Sequence, residues 1–177
     1  QGRFLYVAEV GNDVIQVYSV SASTGALTLL SPTYAVPTLE AMTIDPTGSY
    51  LYAASFGNHT ITAFRINATT GALTVSPNAP RSTGQVASEH SIAVDPTGRF
   101  AFATHYREFN LMSFAINAAT GDLSAPVSTV STATQALTNG SAPIVVEPQG
   151  RFVYAAIADG TIQAFAINTT TGAITAV

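Results

Sequence analysis

Cysteine is absent from this chain of 177 residues, so neither a disulfide nor a thiolate metal site can form. Lysine is absent too: the six basic residues are all arginine, against ten acidic ones, giving a net charge of -4. With no basic run to neutralise phosphates, the sequence offers no nucleic-acid surface. Charged residues make up only 9% of the chain, where about 25% is usual for a soluble domain. No stretch approaches the roughly 18 consecutive apolar residues of a membrane-spanning helix. The apolar residues, 47% of the total, are dispersed instead in strand-length runs. The length suits one sizeable core rather than two unrelated domains, so residues 1–177 are expected to form a single domain.

What is present is a phrase repeated four times. Gly-Arg-Phe-x-Tyr, a hydrophobic run, then Asn-x-x-Thr-Gly-Ala-Leu-Thr recurs with small edits. The opening glycines are Gly2, Gly48, Gly98 and Gly150, spaced 46, 50 and 52; the closing ones are Gly25, Gly71, Gly121 and Gly172, spaced 46, 50 and 51. A period of that length built from short β segments predicts an all-β propeller of four-stranded antiparallel blades, at about 1–38, 39–88, 89–140 and 141–177.

The second copy gives the frame. Strand A runs over 39–45, Asp45-Pro46-Thr47-Gly48 makes a type I turn, and strand B follows at 49–55. Phe56-Gly57-Asn58 turns the chain into strand C at about 59–66. Asn67 to Gly71 forms the next hairpin and strand D occupies about 72–76. Strand B reads Phe-Leu-Tyr-Val-Ala at 4–8 and Phe-Val-Tyr-Ala-Ala at 152–156, apolar on both faces, as a sheet enclosed by two neighbours requires. The chain opens at strand B of the first copy, giving 15 strands with the first blade short of its innermost one. This favours an incomplete or self-associating propeller over a closed four-bladed ring. The edge of residues 3–9 (Arg3, Phe4, Leu5, Tyr6, Val7, Ala8 and Glu9) is the expected interface, because an unpaired strand is a template for association.

Asp95-Pro96-Thr97-Gly98-Arg99-Phe100, Gly150-Arg151-Phe152-Val153-Tyr154-Ala155 and the Thr-Gly-Ala-Leu hairpins at 24–27 and 70–73 resemble the lactonase-type seven-bladed propellers, the 6-phosphogluconolactonase-like proteins. The resemblance covers the whole chain but about half of such a ring. Its matching residues belong to turns and packing. It implies a propeller and, for members that are enzymes, the opening of sugar lactones by His, Glu and Arg residues at the channel mouth.

In the predicted frame one rim gathers the start of strand A, the end of strand B, the B–C turns and the D–A connectors. Glu9, Glu40, Glu89, His90, His105 and Arg107 should face it, Glu40 being aligned with His90 and Ala142, and Glu9 with Ser55, His105 and Ile157. A histidine beside a carboxylate can deprotonate water, and an arginine can hold an anionic substrate. Rims also hold polar groups for solubility alone. Residues 105–110 depart most from the repeat, through function, an interface or drift. No short-spaced ligand motif exists, so no metal or other cofactor is expected. Arg3, Arg99 and Arg151 share one repeat position and read as structural; His59 reads as a surface residue of strand C. The connectors 77–88 and 126–140 are candidate recognition loops.

Low charge, no lysine and abundant Ala, Thr and Ser suggest an extracellular or cell-surface protein. Asn58, Asn67, Asn139 and Asn168 are glycosylation candidates, although turn chemistry also explains such asparagines. No signal peptide is visible, and an opening in mid-repeat reads as a processed or excised chain. Three functions stand at this point. The first is an extracellular repeat module that binds or assembles with itself or with missing blades. The second is a lactonase-like hydrolase; the third is a lectin-like binder of glycans.

Overall fold

The computed structural model describes residues 2–84, 89–105, 110–132, 143–156 and 160–177. It is a fan of four antiparallel sheets. Blade 1 holds β1 (Phe4–Glu9), β2 (Val14–Val20) and β3 (Leu27–Ala35), paired in that order. Blade 2 holds β4 (Leu39–Ile44), β5 (Tyr50–Ser55), β6 (Thr60–Ile66) and β7 (Leu73–Val75), with β8 (Arg81–Ser82) also pairing β6. Blade 3 is β9 (Glu89–Val94), β10 (Phe100–His105), β11 (Asn110–Ile116) and β12 (Leu123–Ser131). Blade 4 is β13 (Ile144–Val146), β14 (Phe152–Ala156), β15 (Ile162–Ile167) and β16 (Ile174–Ala176). The strands next to the axis adjoin in sequence: β1 beside β4, β4 beside β9, β9 beside β13. Blade 1 has three strands among the described residues, as its sequence predicts.

Three of the expected details are corrected. Strand D varies in length: β7 and β16 have three residues, but β3 and β12 each run for nine, so the connector expected at 126–140 begins as strand up to Ser131. The connector at 77–88 contributes a strand, β8, making sixteen strands among the described residues where fifteen were expected. His59 is not in strand C. It closes the B–C turn with φ +55, as Asp13 does at the equivalent place with φ +57.

The core lies between blades rather than inside them. Strand β5 shows why both of its faces are apolar: Leu51 and Ala53 join the cluster with Tyr6, Ile15 and Val17 of blade 1, whereas Tyr50, Tyr52 and Ala54 join the one with Ile92, Ala101 and Met112 of blade 3. Phe100 and Phe102 do the same toward Val153, Ala155 and Phe165 of blade 4. Tyr52, Phe102, Phe114 and Phe165 are completely enclosed, each stabilising the fan by about 1.5–3 kcal/mol.

Two polar devices recur along the fan. In the A–B turn, one carboxylate replaces the partners that the turning backbone loses. Asp45 Oδ1 accepts from the amides of Ser49 at 2.8 Å and Tyr50 at 2.7 Å, Oδ2 accepts from the Thr47 amide at 3.1 Å, and Gly48 N donates to Asp45 O at 2.9 Å. Asp95 repeats the pattern with Thr97, Arg99 and Phe100. In the C–D hairpin, Asn67 Oδ1 accepts from the amides of Thr69 at 2.9 Å and Thr70 at 3.1 Å, and Asn168 does likewise.

The hairpin also ties a blade to the one before it. Gly71 has φ +75, and a Cβ there would stand 2.6 Å from the Phe4 ring; Gly121 and Gly172 lie equally close to Tyr50 and Phe100. Tyr6 Oη donates to Gly71 O at 2.9 Å. Burial, and after it the neighbouring Tyr34, pushes that phenol up to about 12, so it remains a donor at neutral pH. Arg3 Nη2 donates to Thr69 O at 3.4 Å and Arg99 Nη2 to Thr169 O at 2.6 Å, each guanidinium lying over the aromatic ring that follows it. The structural reading of these arginines therefore has a physical cause.

Candidate active site

The rim is set by strand direction: β1, β5 and β10 end where β4 and β9 begin. A bulge shapes the start of each of those two inner strands. Ala54 faces Ala41 while Ser55 faces Leu39, leaving Glu40 as the extra residue; Thr104 faces Ser91 while His105 faces Glu89, leaving His90 as the extra one. Glu40 and His90 thus occupy the same bulge in adjacent strands. A bulge re-aims the side chain it inserts, which makes the position suitable for chemistry. Glu89 and His105 are cross-strand partners in blade 3.

The remaining candidates divide. Glu9 ends β1 at the rim, but its carboxylate accepts from Asn12 Nδ2 and Gln16 Nε2 of its own hairpin. His105 ends β10, opposite Asn110 on its other side, and its side chain is completely buried. Arg107 lies outside the described residues, as do Ala142 and Ile157, the fourth-blade equivalents of His90 and His105. Among the described residues no group of three or more His, Asp or Glu is placed to hold a metal ion. Of the glycosylation candidates, Asn58, Asn67 and Asn168 are exposed, the latter two already serving as turn acceptors, and Asn139 lies outside the described residues.

Of the seven residues expected as an interface, Arg3, Phe4, Tyr6 and Ala8 turn toward blade 2, while Leu5 and Val7 point to the opposite face.

Two residues that support the rim were missed in the sequence. Asp13 Oδ1 accepts from Leu39 N at 3.1 Å, and Asp13 O from Val36 N at 2.8 Å, fastening the first B–C turn to the start of β4 one residue before Glu40. Thr38, with φ +55, accepts Gly57 N on its Oγ1 at 2.9 Å and Phe56 N on its carbonyl at 2.7 Å. Their signal was faint, since Asp and Thr in turns are commonplace.

At the opposite end of the sheets, a groove of about 820 Å³ opens between blades 2 and 3, walled by Thr47, Ser49, Arg65 and Arg99. Ser49 stands where blades 1, 3 and 4 have Arg3, Arg99 and Arg151. The groove beside Arg3, between blades 1 and 2, is about 380 Å³.

The sequence profile described as "Lactonase, 7-bladed beta-propeller" matches residues 1–87 and 90–177. A search of curated protein sequences finds no significant match. Among solved structures, a putative 6-phosphogluconolactonase from Bacteroides uniformis superposes with a TM-score of 0.85 at 20% identity, over 99% of this chain and 50% of that one. A second, from Bacteroides fragilis, gives 0.81 at 19% over 99% and 51%; the periplasmic gluconolactonase of Pseudomonas aeruginosa gives 0.74 at 17% over 99% and 50%. At such identities the likeness is one of fold, and this chain spans about half the length of each. Matched by the family over nearly all its residues, and folded as half of the ring those structures form, the chain belongs to the lactonase family of seven-bladed β-propellers.

Proposed function

We propose that this chain supplies part of the catalytic rim of a propeller that hydrolyses sugar lactones. The observation that carries the reading is the pairing of Glu40 and His90 at equivalent bulges of adjacent inner strands in a chain of the lactonase family. In this scheme His90 takes a proton from water as the water attacks the lactone carbonyl. Glu40 and Glu89 orient and stabilise the imidazolium that results, and Arg107 holds an anionic group of the substrate. The ring C–O bond then breaks and its alkoxide takes the proton back from His90, giving the open hydroxy acid. His105, enclosed and paired across the sheet with Glu89, supports the start of β9. The test is lactone hydrolysis across a panel of sugar lactones, with His90→Ala expected to lower kcat/KM by about 100-fold or more. An unchanged kcat/KM in His90→Ala would sink the assignment, as would inactivity on every lactone.

A second reading, an exported module that works by binding or by associating with copies of itself, starts from the low charge and the absence of lysine. Its setting outside the cell rests on composition alone.

A further inference from the structure

Blade 2 departs from the repeat at two positions that border one groove. Ser49 replaces the arginine that the other three copies carry after the turn glycine. Arg65 faces Tyr50 across the sheet, where the other blades set Ser19, Ala115 and Ala166 against the equivalent aromatic residue. Within this blade, then, the guanidinium stands on strand C instead of strand B. Tyr50, Arg65 and Thr74 are successive cross-strand partners, so they share the face that Tyr50 turns to blade 3.

The exchange changes what is bonded. Arg99 Nε donates to Thr97 Oγ1 at 3.1 Å inside its own turn, and its Nη2 reaches the Thr169 carbonyl of the next blade. Arg3 reaches the carbonyls of Ala68 and Thr69 in the same way. Ser49 retains only the near contact, its hydroxyl lying 2.8 Å from Thr47 Oγ1. The carbonyls of Ala118 and Ala119, counterparts of Ala68 and Thr69, therefore receive no guanidinium; Tyr50 Oη donates to the first at 3.4 Å. Arg65 is exposed and makes no hydrogen bond or ion pair with the described residues. Donor and acceptors line the same groove of about 820 Å³ between blades 2 and 3. Asp45 also lines it, but its carboxylate is taken up by the amides of Thr47, Ser49 and Tyr50.

We propose that this groove binds a small polyhydroxylated anion, with its carboxylate or phosphate on Arg65 and its hydroxyls donating to the carbonyls of Ala118 and Ala119. An oxyanion takes charge-assisted bonds from a guanidinium, about twice as strong as neutral ones. A polyol brings the O–H donors that the two carbonyls lack, which a simple inorganic anion cannot. The volume falls within the roughly 300–1,000 Å³ usual for small-molecule sites. The groove opens at the end of the sheets opposite Glu40 and His90, so the proposal does not rest on the lactonase reading.

The test is calorimetric titration of the folded chain with gluconate and with glucose 6-phosphate. At least one of them should bind one to one, and which of the two binds identifies the oxyanion. Glucose and inorganic phosphate should each bind at least about tenfold more weakly, since each lacks one half of the contact. Arg65→Ala installs the residue that blades 3 and 4 carry there, and should lower the affinity for the sugar anion by at least about tenfold with an unchanged circular dichroism spectrum. Arg65→Gln, which keeps the stem and removes the charge, replaces it if Arg65→Ala does not fold. His90→Ala should leave the affinity as it is; a loss there would put the ligand at the rim and overturn the proposal. Absence of binding by both sugar anions at about 10 mM also overturns it, as does a folded Arg65 variant that binds like the wild type. Glucose that binds as tightly as the anions, or inorganic phosphate that matches glucose 6-phosphate (an adventitious ion only), has the same consequence.

Discussion

At the scale of single residues, the turn glycines are not equivalent although the sequence repeats them. Gly25 and Gly121 share a left-handed backbone, with φ +72 and +74, but a Cβ at Gly121 would overlap the Tyr50 ring while one at Gly25 meets nothing. Gly25→Ala should therefore cost about 1 kcal/mol, from the backbone alone. Gly121→Ala should cost about 3 kcal/mol, because overpacking of a buried ring is added. Urea denaturation of the two variants measures the difference; equal losses would mean that the hairpin does not lean on the ring. The sequence showed that these glycines were needed, but not by what. The distinction depends on which blade stands in front, and no single copy of the repeat contains that information.

At the scale of the element, the outer strand of blade 2 breaks between β7 and β8, and the segment between them docks on blade 3. Asn78 N and Nδ2 donate to the Asp122 carboxylate at 3.0 and 2.9 Å, and Arg81 Nε donates to Leu123 O at 2.9 Å. Asp122 replaces the alanine that the other three copies carry after the hairpin glycine, so the deviation was visible in the sequence while its partner was not. Burial alone would raise the Asp122 carboxyl; hydrogen bonds from Thr120 and Asn78 and the charge of Arg81 outweigh it and hold the group below its usual 3.8. A carboxyl lowered by folding contributes stability that is complete above its unfolded value and is lost as pH falls through the folded one. The stability gap between wild type and Asp122→Ala should thus be constant above about pH 5 and shrink in more acid solution. A gap that widens toward low pH would contradict it. The strands themselves were legible to within a residue or two wherever a turn glycine or proline bounded them. Residues 126–131 were read as connector rather than strand D because their exposed, threonine- and serine-rich sequence does not differ from a loop; only pairing with strand C reveals them as strand.

At the scale of the whole fan, the described residues cover the middle two blades on both faces and the outer two on one. Strands β5 and β10 have packed neighbours on both faces, whereas β1 and β14 have one each. Backbone amides of β5 and β10 should exchange with solvent most slowly and those of β1 and β14 fastest among the B strands. Uniform protection across the four would show that the blades open together. Architecture and rim were readable in the sequence because a repeat supplies its own alignment, which is how Glu40 could be set beside His90. The burial of His105 and the local bonding of Glu9 were not readable, since both depend on the third dimension of one turn. The recurring hairpin-on-ring contact has a further implication for how such a protein could change over generations. A stretch of coding sequence duplicated or deleted in whole units would leave matching ends on either side of the splice. Ring size is therefore a property of how many units are strung together, and no individual unit has to be rewritten for the count to alter.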